Sequence, residues 1–498
     1  MNTVSAKRED IKTLGDLRAS SYKVESVKDE LRRNLMKRLH DGSEVFPGIL
    51  GYGRSVIPQL QNAILSRHDI LLLGLRGQAK SRILRLIPLL LDEYIPVVAG
   101  SELNDNPFSP LSKFACDRIA SEGEETPIAW LHRSERYAEK LATPDTSIAD
   151  LIGDIDPIKA AHRRLTYADE EVIHFGIIPR TNRGIFAINE LPDLQARIQV
   201  GLLNIMEEQD IQIRGFNVRF PLDLMMLFSA NPEDYTNRGN IITPLKDRID
   251  CQVLTHYPKD LNTALAITDQ EAWQNRGGVR VTIPEFIRQV IEVAAFEARA
   301  SEYVDQKSGV SARMTRSALE AVIANAERRA ALYGQSQICV RVSDLHYVES
   351  AITGKLELVY EGEQEGPQKV ARLLIGRAIR RVFADYFPDP SLKGRETYGK
   401  ILEWFAQGNT LTLDPELSDA SFKKCLRAVS GLDEVITSQF GPAKKQRISA
   451  KERWILREFV LEGLHQASML GKEEQTYSDM MGSMLGSLDP SEEEEDFG

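Results

Sequence analysis

The chain has 498 residues, of which 42% are hydrophobic and 27% are charged, with a net charge of −11 at pH 7. This length allows two to four domains with cores of their own, since domains mostly run to roughly 100–200 residues. An acidic total gives no general attraction to nucleic acid or to anionic membranes, so neither is the expected partner. The four cysteines include no C-x-x-C pair, which argues against a disulfide framework and against a zinc site.

No segment has the composition of a membrane span or of a secretory signal. The most hydrophobic run, residues 83–91, is short and contains Arg85 and Pro88, whereas a membrane helix needs ~20 apolar residues. Residues 1–10 carry charges and have no apolar centre, unlike a signal peptide. We therefore expect a soluble, cytoplasmic protein with reduced thiols.

The first 40 residues are predicted to form an N-terminal extension with one amphipathic helix. Leu31, Leu35 and Leu39 recur one turn apart, which predicts a helix with a narrow apolar stripe. Such a stripe packs more often on its own domain than on a neighbouring subunit. A Gly/Pro-rich connector follows at residues 46–53, and residues 56–65 are predicted to form a helix that leads to the first strand.

Residues 70–84 have the order of strand, glycine-bearing turn and helix that forms a phosphate-binding loop. In such a loop, backbone N–H groups face phosphate oxygens, a lysine reaches the β- and γ-phosphates, and a hydroxyl binds Mg²⁺. Ala79 stands where the usual pattern has a glycine, so an ordinary strand–turn–helix corner is the alternative interpretation. The residues that the pattern assigns to the loop are Gly74, Gly77, Lys80 and Ser81.

Two later apolar segments end in polar side chains. Residues 184–188 are followed by Asn189 and Glu190, and residues 224–230 are followed by Asn231. Because ligands bind at the carboxyl ends of strands in open α/β sheets, Glu190 can polarise an attacking water and Asn231 can hold that water or the γ-phosphate. Taken alone, a solvated glutamate at a strand end is an equally good interpretation of Glu190.

The segments around these strands have weaker patterns. Residues 94–99 are predicted to form a buried strand, and residues 101–147 are predicted to be irregular with a few helical turns. A helix is predicted at residues 195–208 and a hairpin at residues 212–220. Arg248 comes just before a further strand and, taken alone, is more typical of a surface ion pair than of a catalytic residue.

The second half of the chain is predominantly helical by its apolar spacing. Residues 262–358 are predicted to form a helical subdomain, and residues 361–367, rich in Glu and Gly, are predicted to be a linker. A further helical module is predicted at about residues 368–470. The run of acidic residues at 491–496 is typical of a disordered tail.

The order of these motifs resembles the AAA+ ATPases of the magnesium chelatase I-subunit and MoxR branch. The sequence G-L-R-G-Q-A-K-S at 74–81 resembles the MoxR form, which commonly carries Ala before the Lys. L-I-G-D-I-D at 151–156, G-I-I at 176–178 and T-N-R-G-I-F-A-I-N-E at 181–190 are similar to the chelatase pattern. The resemblance covers about residues 40–355.

The resemblance implies an α/β fold, in which an AAA+ P-loop αβα core with a parallel sheet is followed by an α-helical lid and a C-terminal α-helical module. The expected domains are residues 1–40, 41–260, 261–360, 361–475 and 476–498. The implied site comprises Walker A at Gly74, Gly77, Lys80 and Ser81, Walker B at Asn189 and Glu190, a sensor-1 amide at Asn231, a trans-acting arginine finger at Arg248 and a sensor-2 arginine at Arg313, with Arg316 as a weaker candidate.

The same resemblance implies that ATP and Mg²⁺ are cofactors, with Ser81 and Asn189 on the metal. It also implies a homo-oligomeric ring, a hexamer, and a protein partner with a von Willebrand factor A domain. Asn189 departs from the family pattern, which has Asp there, so we expect slow hydrolysis because an amide lacks the charge that holds the metal. Pro88 should end the helix of the phosphate-binding loop within two turns.

Three functions remain open on the sequence. The first is an ATP-driven machine that remodels or activates a partner protein, with magnesium insertion into a porphyrin as a subordinate case. The second is a nucleic-acid motor or transcription regulator of the same clade, which draws on Arg214 and Arg219 of the predicted hairpin. The third is a nucleotide-gated scaffold with little turnover, which draws on Asn189.

Overall fold

The computed structural model describes residues 8–155, 172–208, 210–212, 219–232, 240–390, 395–440 and 448–480. The chain divides into two compact units, residues 1–256 and 257–498. Asp156, the centre of the predicted 212–220 hairpin and the acidic tail lie outside the described residues.

A five-stranded parallel sheet is the centre of the first unit. Its strands, in chain order, are β1 (Ile70–Leu73), β2 (Tyr137–Leu141), β3 (Gly184–Asn189), β4 (Leu224–Ala230) and β5 (Cys251–Leu254). Their spatial order is β5-β1-β4-β3-β2. The three middle strands are almost wholly buried, as expected for a parallel sheet that is covered on both faces, and this explains their continuous apolar sequences.

Helices cover both faces of this sheet and make three layers. On one face, the side chains of Ile70, Leu72 and Ala187 share a buried cluster with three helices. On the other face, Leu71 and Phe186 belong to a second cluster. The helices of the first face are Val27–His40, Val56–Leu65 and Lys80–Leu86, and those of the second face are Ile177–Arg180, Ala196–Glu208 and Thr243–Arg248. The predicted α/β class with a parallel sheet is confirmed.

The strands are in a register that brings their carboxyl ends to one edge. Leu73, the last residue of β1, pairs with Ala230 of β4 and with Leu254 of β5. On the other side of the sheet, Leu141 of β2 pairs with Asn189 of β3. The residues that follow these strands therefore leave the sheet at the same edge.

The interpretation of residues 101–147 as irregular was wrong. This segment contains a helix, Lys113–Glu122, and two strands, Ile128–His132 and β2. Ile128–His132 pairs antiparallel with Tyr94–Val98, the strand that was predicted at residues 94–99. The edge strand β2 was missed because none of its five side chains is fully buried, so it has no continuous apolar run.

The remaining elements of the first unit are short. Two small antiparallel pairs join Gly153–Ile155 to Ile173–Phe175 and Asp210–Gln212 to Arg219–Pro221. The other elements are the helices Leu14–Ala19 and Ile148–Leu151 and the 3-10 turns Arg8–Asp10, Ile87–Leu90, Gly123–Glu125, Arg133–Arg136 and Leu191–Asp193.

The helix of the predicted phosphate-binding loop has only seven residues, Lys80–Leu86. A 3-10 turn, Ile87–Leu90, follows it directly and contains Pro88. A proline inside a helix removes a backbone donor and clashes with the preceding turn, so the α-helix ends before it. The early end predicted from Pro88 is confirmed.

The second unit is mainly helical and has one large buried core. Side chains from the helices of residues 261–360 and from those that follow share this core, for example Phe286, Val322, Phe383 and Phe459. Its helices are Leu261–Glu271, Glu285–Ala300, Arg313–Leu332, Glu349–Thr353, Tyr360–Glu365, Pro367–Tyr386, Gly399–Ala406, Asp419–Ala428, Leu432–Phe440 and Ala450–Gln466, with 3-10 turns at Ser343–Val348 and Arg395–Tyr398. Its short strands are Arg280–Thr282, Gln337–Cys339, Leu411–Thr412, Gly471–Glu473 and Thr476–Ser478.

The predicted linker at residues 361–367 is helical, so that interpretation was wrong. Helix Tyr360–Glu365 ends at Gly366, and helix Pro367–Tyr386 begins immediately after it. Gly366 has a φ of 86°, a left-handed conformation that glycine adopts without a side-chain clash. A single glycine therefore separates two helices.

Within the described ranges, no helix is both long enough and apolar enough to cross a lipid bilayer.

Candidate functional site

The turn after β1 has the backbone geometry of a cradle. Gly77 has a φ of 74° and Ala79 a φ of 58°, so both residues are left-handed. Helix Lys80–Leu86 begins immediately after Ala79. A side chain at Gly74 would place its Cβ 1.9 Å from the Thr255 hydroxyl and 2.3 Å from Oε1 of Gln78, so a larger residue there would displace both side chains. In the predicted loop, Gly74 therefore allows Thr255 to approach the backbone closely, and Gly77 allows the left-handed turn.

Lys80 points back over the turn instead of outward. Its side chain is buried, and its Nζ donates to the carbonyl oxygens of Gly74 and of Leu75, the latter at 3.0 Å. The same Nζ donates to Oδ1 of Asn231 at 2.5 Å. Lys80 and Asn231 are 151 residues apart in sequence, and this contact joins the turn after β1 to the end of β4.

Glu190, directly after β3, contacts the same asparagine. Nδ2 of Asn231 donates to Oε2 of Glu190 at 3.0 Å. Glu190 has φ 55° and ψ 50°, an unusual left-handed backbone for a residue that is not glycine. Strained backbone of this kind clusters at functional sites, where the surrounding structure holds it in place. Lys80, Asn231 and Glu190 therefore form one continuous contact.

Asn189 occupies the position next to this acid and is fixed by two neighbours. Its Oδ1 accepts a hydrogen bond from the Ser229 hydroxyl at 2.9 Å, and the same hydroxyl accepts from the backbone N–H of Glu190 at 3.3 Å. On its other side, Nδ2 of Asn189 lies 3.5 Å from Oε1 of Glu139 in β2. Asn189 is only 6% exposed, so its amide orientation is set by these contacts.

Glu139 forms an ion pair with Arg85 of helix Lys80–Leu86. Its carboxylate accepts from the guanidinium of Arg85, including an Nε contact of 2.8 Å, and from the Tyr137 hydroxyl at 2.8 Å. The hydrogen bond from Arg85 lowers the pKa of Glu139 and raises the pKa of Arg85. Burial, and then the hydrogen bond to Glu139, raise the pKa of Tyr137. Glu139 is therefore an ionised carboxylate at neutral pH.

Several residues that the sequence analysis did not identify hold Gln78 of the predicted loop in place by hydrogen bonds. Thr255, directly after β5, donates its hydroxyl to Oε1 of Gln78 at 2.6 Å. The Tyr52 hydroxyl lies 3.0 Å from the carbonyl oxygen of Gln78 and 2.8 Å from that of His256. The His256 ring also contacts the Ser55 hydroxyl at 2.8 Å. The Gly/Pro-rich connector therefore packs against the turn and supports it.

Ser81 and Arg248 belong to the first unit but take no part in this contact chain, and Arg313 and Arg316 belong to the second unit. Ser81 is exposed at the second position of helix Lys80–Leu86. Arg248 ends helix Thr243–Arg248 and pairs with Glu207 of its own chain at 2.6 Å. Arg313 is exposed at the start of helix Arg313–Leu332 in the second unit, and Arg316 pairs with Glu320 at 3.3 Å.

The oxygen donors at this edge fit a magnesium ion held mainly by phosphate. Mg²⁺ prefers oxygen ligands and usually takes only one or two from the protein, together with waters and substrate phosphates. The Ser81 hydroxyl, the Asn189 amide oxygen and the carboxylates of Glu139 and Glu190 supply such donors. Across the described ranges, no group of three or more His, Cys, Asp or Glu side chains could enclose a metal ion by itself.

Ser229, Glu139, Thr255 and Tyr52 were missed for different reasons. Ser229 is inside the apolar strand β4, where one hydroxyl does not interrupt the pattern. Glu139 lies in the segment that was interpreted as irregular. Thr255 and Tyr52 reach the loop only through the fold. One signal was available, because polar residues at the tip of each parallel strand are candidates wherever one tip already carries a phosphate-loop motif.

No protein-family model matches the chain. Among solved structures, it is similar to a candidate ATPase of Cytophaga hutchinsonii, with 17% identity over 71% of this chain and 96% of that one, at a TM-score of 0.29. It is also similar to NtrX from Brucella abortus in complex with ADP, with 14% identity over 70% and 68% of the two chains and a TM-score of 0.37. A complex between subunits BchI and BchD of magnesium chelatase gives 20% identity, 64% and 98% coverage and a TM-score of 0.33.

Proposed function

We propose that the chain is an AAA+ ATPase that binds Mg-ATP at the carboxyl ends of β1, β4 and β3. The observation that carries this proposal is the contact chain from Lys80 through Asn231 to Glu190. It brings together a lysine, an amide and an acid after three neighbouring strands. Hydrolysis of a bound triphosphate needs a positive charge on the phosphates, a positioned water and a base, and these three groups can provide them. An ordinary strand–turn–helix corner gives no reason for these three side chains to converge.

Each member of the chain has a distinct chemical task. Lys80 neutralises the β- and γ-phosphates, and the backbone N–H groups of the turn bind phosphate oxygens. Mg²⁺, when bound with the nucleotide, neutralises developing phosphate charge, and Ser81 and Asn189 are the residues that would hold it. Glu190 orients the attacking water and accepts its proton on a carboxylate oxygen. Asn231 fixes the position of that carboxylate through its amide N–H.

Nucleotide binding tests the loop directly. We expect the unchanged protein to bind Mg-ATP, and Lys80→Ala to weaken the affinity by about tenfold or more, because one charge contact to the phosphates is lost. Lys113→Ala is the matched control, since Lys113 is a helix-start lysine with 49% side-chain exposure and an exposed carboxylate partner. Equal affinities for the Lys80→Ala variant and the unchanged protein would contradict the proposal.

Phosphate release separates an ATPase from a nucleotide-gated scaffold. Glu190→Gln keeps the shape and the contact to Asn231 but removes the base, so we expect retained Mg-ATP binding and release lowered by about 10²–10⁴-fold. If the unchanged protein binds ATP but releases no more phosphate than Lys80→Ala does, the scaffold is the correct function.

The finer part of the proposal is a ring of the magnesium chelatase and MoxR type, with six copies and a partner that has a von Willebrand factor A domain. It draws on the sequence resemblance. In such a ring, Arg248 leaves Glu207 and reaches the γ-phosphate bound by the neighbouring copy, which is worth up to about 10³–10⁵ in rate elsewhere. Light scattering with Mg-ATP measures the number of copies, and binding of such a partner should require Mg-ATP.

A mixing experiment tests the trans role of Arg248. Lys80→Ala and Arg248→Ala should each be inactive alone. In mixed rings, some interfaces combine an intact loop with an intact arginine, so partial activity should return. If mixing restores no activity although the copies co-assemble, Arg248 does not act across an interface.

A further inference from the structure

The residue at the end of β3 where a carboxylate would hold the metal is an amide, and a carboxylate lies beside it on the neighbouring strand. Glu139 of β2 pairs with Ala187 of β3, two residues before Asn189. Side chains alternate along a strand, so Glu139, Ala187 and Asn189 point to the same face of the sheet. The 3.5 Å distance between Oε1 of Glu139 and Nδ2 of Asn189 agrees with that register.

We propose that Glu139 supplies the negative charge for the nucleotide-bound Mg²⁺ that Asn189 lacks. This inference rests on the proposed function. A magnesium site needs anionic charge near the ion, and the ion keeps several waters through which a carboxylate can act without direct contact. Glu139 and Asn189 together then replace one aspartate. The Asn189 amide provides an oxygen ligand, and the Glu139 carboxylate provides the negative charge.

The position of Arg85 shows that Glu139 faces the correct side of the phosphate-loop helix. Arg85 is four residues after Ser81, so both side chains lie on one face of helix Lys80–Leu86. Arg85 donates to both carboxylate oxygens of Glu139. The helix face that carries the predicted metal hydroxyl is therefore the face turned toward Glu139. The Glu139 side chain is 24% exposed, so water reaches it.

The competing explanation is that Glu139 and Arg85 form a purely structural ion pair. The Arg85→Ala variant distinguishes this explanation from a role of Glu139 at the metal. The Arg85 side chain is 63% exposed, and ion pairs at such exposure contribute little to stability. If Glu139 serves the metal, Arg85 competes with the ion for its charge, and Arg85→Ala should strengthen magnesium-dependent binding. If the pair is only structural, Arg85→Ala should leave the magnesium dependence of binding unchanged.

The decisive quantity is the ratio of ADP affinity with Mg²⁺ to ADP affinity in EDTA, measured by calorimetry. For Glu139→Gln, we expect this ratio to fall about tenfold while the affinity in EDTA does not weaken. The substitution removes a negative charge that attracts the magnesium ion, and without the ion this charge does not help ADP to bind. The double variant Glu139→Gln with Asn189→Asp should return the ratio to within about threefold of the unchanged protein, since the charge is restored one strand over. Glu122→Gln, at an exposed pair with Arg118, is the control.

Each outcome has one meaning. An unchanged ratio in Glu139→Gln overturns the inference, and so does a lowered ratio that Asn189→Asp fails to restore. If Glu139→Gln does not fold, as judged by its thermal transition, Arg85→Ala decides between a raised ratio and an unchanged one. If the unchanged protein binds no ADP at all, with or without Mg²⁺, the proposed function itself fails.

Discussion

The ammonium nitrogen of Lys80 lies 2.5 Å from the amide oxygen of Asn231, whose nitrogen lies 3.0 Å from a carboxylate oxygen of Glu190. Asn231 therefore links Lys80, the proposed phosphate-binding lysine, to Glu190, the proposed base. Because an amide is both donor and acceptor, it can bind a cation on one side and an anion on the other without a charge of its own. This arrangement makes the asparagine a point at which catalysis and binding can be separated.

Asn231→Ala should lower phosphate release by about 10²–10³-fold, the usual cost of removing one positioned polar group from a transition state. Mg-ATP affinity should change only about threefold, because Lys80 and the backbone turn still bind the phosphates. Steady-state release and equilibrium binding measure the two effects, with Asn62→Ala in an exposed helix position as the control. Equal losses of affinity and of rate would show that Asn231 mainly binds the nucleotide.

Ala79 should tolerate glycine but not valine. Its φ of 58° costs an L-residue about 1–2 kcal/mol, and a β-branched side chain makes this conformation worse. We expect Ala79→Val to lower the thermal midpoint and to weaken Mg-ATP binding, whereas Ala79→Gly should stay within about 1 kcal/mol of the unchanged protein. Differential scanning fluorimetry with and without nucleotide checks both. A valine variant with unchanged binding would mean that the turn has another backbone conformation.

The buried pair of Arg136 and Glu30 should be essential for the first unit. Arg136 is 1% exposed, and its two terminal nitrogens lie 2.8 and 2.6 Å from the Glu30 carboxylate oxygens. Glu30→Ala leaves a buried charge uncompensated and should cost about 3–5 kcal/mol. Glu25→Ala, at the exposed pair with Arg33, should cost less than about 1 kcal/mol. Native-state hydrogen exchange of the β3 and β4 amides measures the difference, and equal costs would contradict this account.

Glu462 should make the stability of the second unit fall in acid. Burial alone would raise the pKa of this carboxyl, but Lys472, Tyr477 and Gln466 bind it and lower the pKa to about 2, from 4.5. A lowered pKa gives stability that is complete above about pH 4.5 and is lost as the pH falls toward 2. The contribution at neutral pH is roughly 3 kcal/mol.

Glu462→Gln should therefore be less stable than the unchanged protein at pH 7, and the gap should narrow below about pH 5. Urea unfolding followed by tryptophan fluorescence measures this, since Trp273, Trp404 and Trp454 lie in the second unit. Glu473→Gln, in the neighbouring strand, is the control. A gap that stays constant from pH 7 to pH 4 would show that the ionisation of Glu462 is not the cause.

Local sequence patterns predicted the buried part of the sheet well. β1, β3 and β4 are almost wholly apolar because helices cover both of their faces, so nearly every side chain along them faces a core. The same logic placed Asn189, Glu190 and Asn231, since each follows such a run directly. The edge strand β2 lacks this signal because its side chains are only partly buried.

Patterns of composition were less reliable where helices carry many charges. Residues 361–367 contain three glutamates and two glycines, which is typical of a linker, yet they are helical up to Gly366 and again after it. Glutamate is a good helix former, and the packing of neighbouring helices in the second unit outweighs the cost of a glycine. Composition alone cannot measure that packing.

The sequence by itself determined which segments form the buried strands of the sheet, where the proposed phosphate-binding turn lies and which side chains stand at three strand ends, because these properties depend on residues close together in the chain. Only the tertiary structure decided that Lys80 binds Asn231, that Glu139 stands beside Asn189 and that Thr255 and Tyr52 brace the turn. These contacts join residues that are far apart in sequence, and they depend on strand order and register, which the packing of helices on both faces of the sheet selects.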